Sequence, residues 1–391
     1  MLRRLTLGFA LLIATAVAVA ACSSSNANST ISVGPNFPSQ SLYATNATQN
    51  AIGIYPPNTK TGSGPAYQIG GSSTGIAGPQ YVAFDDQSNL FLTNYNVSAA
   101  SASIIEIKAL ATGNVLPFNS VTLSSNVRPR GIAFYMQPAV VASASPAPSF
   151  VVAAVNAGAS SGFTSQLEFF TDALGQFQVL GGPNTGLNVP SGVALDSANN
   201  IYVTNLQGAS VEVFALPTPT PTPVPTPTTS PTTTPSPSPT PSGATASPSP
   251  TPVPTASPIN VAPLRTIVGA GTGLGQPTGI ALDGNSNIYV TDVAATLGAT
   301  ACSGKAACPA VLIFPAGANG ATAPKAIAGP ATLLNAPTDV KIDKGGNIYV
   351  GDTTAAGAGV VYVFAPGASG NVAPTTTFTS PGAVIGIGLA P

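Results

Sequence analysis

The pattern of apolar and polar positions repeats along the chain with a period of about 45–60 residues, as in repeat architectures. The clearest copies are PSGVALDSANNIYVTN, PTGIALDGNSNIYVTD and PTDVKIDKGGNIYVGD, at 190–205, 277–292 and 337–352. A looser copy, PQYVAFDDQSNLFLTN, lies at 79–94, and an eroded one, PRGIAFYMQP followed by FVVAAVN, begins at 129. Each copy has an apolar run, a polar turn and a second run rich in β-branched residues, which predicts two strands.

Two further apolar runs follow in each unit. The third runs are IIEI, LEFF, VEVF, VLIF and VYVF, at 104–107, 167–170, 211–214, 311–314 and 361–364. After a Gly/Pro turn, NVAPLRTIVG (260–269), ATAPKAIAG (321–329) and NVAPTTTF (371–378) each predict a fourth strand. Four short strands per unit indicate an all-β chain that folds as a β-propeller with four-stranded blades.

The two ends of the repeat region complement each other. SLYATN (41–46) matches a second strand, and AIGIYPP and PAYQIGG match the third and fourth strands after it. VIGIGLA (384–390) matches a first strand, so we expect the C-terminal strand to join the N-terminal blade and close the ring. The sequence therefore predicts a six-bladed propeller, one domain over 41–391.

A run of Pro, Thr and Ser at 217–258 interrupts this pattern. It lies between the third strand VEVF and the fourth-strand segment NVAPLRTIVG, where other units have a short turn such as PAGANG. Each doubling of loop length costs only about 0.6 kcal/mol of closure entropy. We therefore expect a disordered insertion inside blade four rather than a linker between two domains.

The repeat resembles the NHL family, whose units read approximately P-x-G-I-A-[VL]-D-x-x-G-N-I-Y-V-x-D. The resemblance covers 41–391 apart from the Pro-rich run, and it is most specific in the units at 190, 277 and 337. It implies a propeller whose ligands bind on the face where the first strands begin. The residues at that end of the first strands are the ligand-binding candidates: Gln80, Tyr81, Arg130, Ser191, Thr278, Thr338 and Asp339.

Two members of this candidate set differ from the repeat. Tyr81 and Asp339 stand where the corresponding residues of other units are Gly. Arg130 and Asp339 are the charged members, three blades apart, so we expect them on opposite sides of the channel. The alternative is a rim of solvated side chains with no ligand.

The N-terminal segment has the pattern of an export signal. MLRRLTLGFALLIATAVAVAAC (1–22) has two Arg residues, an apolar run and small residues before a Cys. VAAC resembles the lipobox of bacterial lipoproteins, which implies removal of residues 1–21 and acylation of Cys22. A lipid anchor in the cell envelope follows, at the outer membrane if the cell has two membranes, with 22–40 as a flexible tether. An ordinary secretory signal is the alternative.

Composition narrows the chemistry. Of 391 residues, 6% are charged, the net charge is −1 and there is no His. The sparse, balanced charge gives no electrostatic surface for nucleic acid. Without imidazole, His-dependent catalytic triads and His-ligated zinc sites are excluded. We expect a monomer with no resident cofactor.

Two smaller groups of residues carry candidate chemistry. Cys302 and Cys308 are expected to form a disulfide in an exported protein, with two free thiols as the alternative. Asn205, Asp292 and Asp352 end second strands and are expected to anchor the next turn. A weak Ca²⁺ site made of their oxygens is the alternative for these three.

Two classes of function remain. The first is a non-catalytic module that binds an envelope protein or glycan. The second is a metal-dependent lactonase- or hydrolase-like propeller enzyme with a weak Ca²⁺ site in the central channel. Virginiamycin-lyase-like propellers need a His that this chain lacks, and lactonase-like ones need acidic residues in the channel. Since Glu106, Glu168 and Glu212 lie on third strands, we expect binding rather than catalysis.

Overall fold

The computed structural model describes residues 39–123, 127–135, 150–156, 165–171, 174–216 and 259–391. They form an all-β propeller with four-stranded blades. The predicted signal peptide, Cys22, most of the tether and the Pro-rich run at 217–258 lie outside the described residues. In the part of the chain that is described, no helix has the length and apolar character needed to span a membrane.

The strands are short and follow the predicted repeat. The first half of the chain has β1 (Leu42–Asn46), β2 (Ala51–Tyr55), β3 (Tyr67–Gly70), β4 (Pro79–Phe84), β5 (Leu90–Asn96), β6 (Ser101–Ile107), β7 (Asn119–Thr122), β8 (Arg128–Tyr135), β9 (Phe150–Asn156), β10 (Gln166–Thr171) and β11 (Gln176–Gly181). The second half has β12 (Pro190–Leu195), β13 (Asn200–Asn205), β14 (Ser210–Ala215), β15 (Arg265–Ile267), β16 (Pro277–Leu282), β17 (Ile288–Ala295), β18 (Cys308–Phe314), β19 (Lys325–Ala328), β20 (Asp339–Ile342), β21 (Ile348–Thr353), β22 (Gly359–Phe364), β23 (Thr376–Ser380) and β24 (Ile387–Leu389).

Antiparallel pairing arranges the described strands into six four-stranded sheets. The first sheet has the order β24-β1-β2-β3, and the second to sixth follow along the chain as β4–β7, β8–β11, β12–β15, β16–β19 and β20–β23. In the first sheet Leu42 pairs with Leu389 and Ala44 with Ile387, so the C-terminal strand lies beside β1. In the fourth sheet Val211 pairs with Ile267, so the strands on either side of 217–258 belong to one sheet.

The core lies between neighbouring sheets, because second and third strands are apolar on both faces. Ile52, Leu92, Val203, Val290 and Val350, all on second or third strands, have no exposed surface. One core cluster joins Val211 and Ile267 of the fourth sheet to Val290 and Leu312 of the fifth. Burial on both faces explains why these strands read as continuous apolar runs rather than as a strict alternation.

The turns between first and second strands are built on the conserved Asp and Asn positions of the repeat within this chain. Asp196 Oδ1 accepts N–H bonds from Ala198 and Asn200, at 2.9 and 2.8 Å. The Tyr202 hydroxyl donates to Asp196 Oδ2 at 3.0 Å. The fifth and sixth sheets repeat these bonds, so the Asp residues serve the turn as expected.

The start of each fourth strand differs from the prediction. NVAP and ATAP are irregular segments outside the sheets, and β15, β19 and β23 begin only at Arg265, Lys325 and Thr376. The reason is that Pro cannot donate to a sheet ladder, while the Asn side chain accepts an N–H from the preceding sheet's connection. These bonds are Asn114 to Ser73 N, Asn260 to Asn184 N and Asn371 to Ala331 N, at 2.8, 2.9 and 2.7 Å.

Candidate functional site

The first strands of the six sheets pack against one another in sequence, from β24 to β4, β8, β12, β16 and β20, and β20 packs against β24. We call the side on which first strands begin the upper face and the opposite side the lower face. One position at each first strand lies closest to the neighbouring first strands. We call the six residues at this position the axial ring. Its members are Tyr81, Gly131, Gly192, Gly279, Asp339 and Gly386.

Glycine is needed at this ring because the neighbouring backbone leaves no room. A Cβ on Gly192 would lie 2.7 Å from Thr278 O, and one on Gly279 would lie 2.8 Å from Asp339 Oδ1. Threonine hydroxyls of second strands fix the same contacts, as Thr204 Oγ1 donates to Thr278 O at 2.7 Å. Tyr81 and Asp339 are the two members of the ring that carry side chains. These side chains lie near the axis, where the four glycines place no side-chain atoms.

Tyr81 spans the middle of the molecule. Its hydroxyl donates to Thr338 O, 3.1 Å away, and the first sheet lies between the sheets of these two residues. The side chain is buried, and burial raises the pKa of Tyr81 to about 12, with a further rise from Asp339 and an opposing effect of Arg130. Tyr81 therefore fills the channel near its upper end and stays a neutral phenol at physiological pH.

Asp339 is buried beside it and fully hydrogen-bonded. Lys341 Nζ lies 2.8 Å from each carboxylate oxygen. Oδ1 also accepts from Val340 N and Oδ2 from Ile387 N, at 2.9 and 3.0 Å, which ties β20 to β24. Burial raises the pKa of Asp339 and the charge of Lys341 opposes that rise. This carboxylate therefore serves internal contacts.

The seven predicted ligand-binding residues converge as expected, but they do not form an open mouth. Tyr81, Ser191, Thr278 and Asp339 are at most 9% exposed, and Gln80, Arg130 and Thr338 are partly exposed. The alternative of a rim of solvated side chains does not describe those four, because the glycines let the first strands close around them. Thr278 Oγ1, for example, donates to Pro337 O at 2.8 Å. Arg130 is the partly exposed charge of this set.

Asn205, Asp292 and Asp352 anchor turns, as the first interpretation of them held. Asp292 accepts N–H bonds from Gly275 and Gln276, and Asp352 accepts them from Asn335 and Ala336, all within 2.9 Å. Asn205 accepts one from Asn188. Burial raises the pKa of Asp352 to about 6. Their oxygens face amide hydrogens, and the described residues contain no group of three or more His, Cys, Asp or Glu placed to hold a metal.

The lower half of the channel is an open cavity of about 310 Å³. Its lining is apolar except for Lys341, which stands two residues after Asp339. The corresponding residues of the other five first strands are Ala83, Ala133, Ala194, Ala281 and Gly388. Sequence reasoning missed this cavity, although the recurrence of small residues two positions after the axial ring was visible.

The upper face carries a second feature, the disulfide-loop patch, made of 296–309 and 330–335. The predicted disulfide is present: Cys302 and Cys308 are joined, with Cα atoms 5.2 Å apart. A cavity of about 190 Å³ lies between this loop and the connection that contains Pro330, Leu334 and Asn335. Lys305, at the loop tip, is exposed and lines the same cavity.

Leu333 is the most unusual residue of this patch. It adopts a left-handed conformation, with φ +63°, and its side chain is 56% exposed. The corresponding residues of other sheets, Gly75, Gly186 and Gly273, have φ of +68°, +67° and +68°. The replacement of Gly by Leu is visible in the sequence. Three sheets have TGIAG, TGLNV and TGLGQ before their first strand, and the sixth has TLLNA.

The fold resembles solved proteins at low sequence identity. A protein of unknown function from Bacteroides caccae matches with a TM-score of 0.54 and 10% identity, covering 90% of this chain and 98% of that one. A luciferin-regenerating enzyme matches at 0.48 and 11%, over 88% and 94%. Virginiamycin B lyase from Staphylococcus aureus matches at 0.37 and 10%, over 74% and 70%.

These likenesses concern the fold alone. The similar structures include enzymes and a protein of unknown function. A scan against protein-family models and a search of curated proteins found no match. The class that fold and site define is therefore an all-β propeller with four-stranded blades, and a propeller scaffold does not specify an activity.

Proposed function

We propose that this chain is an exported, lipid-anchored, NHL-like propeller that binds a protein of the cell envelope and does not catalyse a reaction. The export signal and the VAAC motif at Cys22 support the location. The single observation that carries the binding function is Leu333, an apolar side chain held exposed in a conformation that suits Gly.

We infer further that the six sheets are six blades of one ring closed by the C-terminal strand. The pairing of β24 with β1 and the contact of β20 with β24 support this. So do the bonds from Gly62 N to Thr377 O and from Thr379 N to Ser63 O, which join the first and sixth sheets at their outer edge. In such a ring β24 supplies the inner partner that β1 would otherwise lack.

The backbone conformation of Leu333 is unfavourable in free energy. A non-Gly residue in the left-handed region costs roughly 1–2 kcal/mol, and three other sheets form the same turn with Gly. Leu333 therefore costs the fold backbone strain that Gly avoids at the same turn, while more than half of its side chain stays exposed. Strain of this kind persists where the side chain serves contacts outside the fold.

The chemistry of the patch fits a protein surface. Leu333 offers an apolar contact, and the adjacent cavity is lined by Pro309, Pro330 and Leu334. Lys305 supplies one positive charge, which suits an acidic group at the rim of the partner's apolar side chain. The disulfide restrains the loop that carries Lys305, so less conformational entropy is lost on binding.

Catalysis has less support than binding. The lactonase- or hydrolase-like alternative with a weak Ca²⁺ site needs free acidic oxygens in the channel. Asp339 is the carboxylate nearest the axis, and both of its oxygens already accept hydrogen bonds from Lys341 and from the backbone of β20 and β24. Glu168 and Glu212 lie on β10 and β14, with Glu212 bonded to Thr266 and Ser210.

The test is capture from a native envelope extract on immobilised protein, compared between wild type and Leu333→Gly. We expect at least tenfold less of a discrete bound protein with Leu333→Gly. Val97→Gly is the matched control, because Val97 is an exposed apolar residue of another upper-face loop, 75% exposed. Equal capture by wild type and Leu333→Gly, or equal loss with both variants, contradicts the proposal.

A further inference from the structure

The lower cavity contains one polar element that the repeat does not require. Three first strands, β8, β12 and β16, carry Gly at the axial ring and Ala two residues later, at Gly131 and Ala133, for example. The sixth sheet carries Asp339 and Lys341 at these positions and forms the same four strands. A propeller blade of this chain can therefore be built without the ion pair.

Lys341 is the member of the pair that meets the cavity. Its side chain is 26% exposed, whereas that of Asp339 is 2% exposed and lies behind it. Its ammonium donates to both oxygens of Asp339 and, at a longer 3.1 Å, to Val340 O. Among the side chains of the described residues that line the cavity, that of Lys341 is the charged one.

The other side chains that face the cavity are apolar. Phe84, Leu282, Ile342 and Leu389 line the space and are partly exposed, together with the small residues two positions after the axial ring. A ligand that fills such a space gains free energy from its buried apolar surface, about 25 cal/mol for each Å². A polar group on that ligand has one place to form a charge-assisted bond, at the ammonium of Lys341.

We propose that the lower cavity binds a small apolar molecule that carries one neutral oxygen acceptor, such as a medium-chain alcohol. The oxygen replaces Val340 O as the third acceptor of the Lys341 ammonium. A neutral oxygen fits better than an anion because Asp339 already balances the charge of Lys341. This site is separate from the disulfide-loop patch and lies on the opposite face.

The experiment is titration of the whole protein with 1-octanol, followed by the methyl NMR signals of Leu282 and Ile342, which line the cavity and are partly exposed. Octylamine and octanoate are the comparison probes. We expect saturable shifts with 1-octanol, at least tenfold weaker binding of octylamine, which has a like charge, and weaker binding of octanoate. No saturable shift with 1-octanol, or equal binding of octylamine, overturns the proposal.

Two variants separate a ligand site from a purely structural ion pair. Asp339→Gly/Lys341→Ala gives β20 the residues found in β8, β12 and β16, and it should weaken 1-octanol binding about tenfold through the loss of one charge-assisted bond. Unchanged binding overturns the role of Lys341. Ala194→Leu fills the cavity from β12 without touching the pair and should abolish the shifts. Persistence of the shifts in this variant overturns the cavity itself, whether or not the double variant folds.

Discussion

At the scale of single residues, the deviations from the repeat are more informative than the repeat itself. Gly at four positions of the axial ring, and at the turn before three of the first strands, is explained by close approach and by positive φ. Leu333, Tyr81 and Asp339 replace Gly at such positions, and each adds a side chain that the other sheets do not need. These three residues define where the molecule differs from a plain propeller.

Leu333→Gly should stabilise the protein while it weakens partner binding. Relief of roughly 1–2 kcal/mol of backbone strain exceeds the entropic penalty of Gly in the unfolded chain, about 0.4–1 kcal/mol. We expect the free energy of unfolding to rise by about 0.5–1 kcal/mol in chemical denaturation. Val97→Gly, at a residue without positive φ, should lower it, and a loss of stability in Leu333→Gly would contradict the strain argument.

Asp352 should make stability fall with pH. Its folded pKa, about 6, lies above the ordinary value of 3.8, so unfolding releases a proton between these two pH values. The stability present below pH 4 is lost as pH rises through about 6, by roughly 2–3 kcal/mol. Asn205 holds the equivalent turn in the fourth sheet, so Asp352→Asn should fold and should lack this slope. The measurement is urea unfolding of both proteins from pH 4 to 7. If the free energy of unfolding changes with pH equally in wild type and in Asp352→Asn, the prediction is wrong.

At the scale of strands and loops, the sequence was sufficient to predict an element where the hydrophobic period and the turn residues indicate the same structure. The second and third strands, the Asp–Asn turns and the disulfide were predictable because each follows from a local pattern. The NVAP segments were misassigned, since their Asn side chains bond to a different sheet. The burial of Tyr81 and Ser191 was also missed, because it depends on how closely six strands converge rather than on any one of them.

The disulfide loop should loosen when its cysteines are replaced. Cys302 and Cys308 are 2% and 8% exposed, and the loop is held by Gly304 N to Ala299 O at 2.7 Å. A ring this short is worth about 2 kcal/mol in the loop-entropy model. Cys302→Ser/Cys308→Ser should speed amide exchange at Gly304 and Lys305, with exchange in β14 unchanged as the internal control. Unchanged exchange at Gly304 would show that the disulfide does not restrain the loop.

At the scale of the whole molecule, the two sides of the Pro-rich run belong together. β14 and β15 pair across it, and Ile259, just after it, bonds to Val179 and Gly181 of the third sheet. Sequence alone was enough for this interpretation, because the missing fourth strand had a recognisable partner motif. That 217–258 itself is disordered stays a prediction.

Replacing 217–258 with the turn PAGANG should leave a cooperatively folded propeller. Closing a shorter loop costs less entropy, so the free energy of unfolding should stay constant or rise by up to about 1.7 kcal/mol. Deletion of 384–391 is the contrast, since it removes β24 and the Ile387 N–H that donates to Asp339, and it should abolish cooperative unfolding. Unfolding of the first variant into two separate transitions would mean that the run divides two domains.

Site-specific photo-crosslinking in the envelope tests the binding function most directly. A photoreactive residue at Lys305, in the disulfide-loop patch, should yield a discrete crosslinked protein, and one at exposed Lys60 on the lower face should not. Added soluble wild-type propeller should compete the product away, and Leu333→Gly propeller should not. Identical products from positions 305 and 60, or equal competition by wild type and Leu333→Gly, would contradict the account.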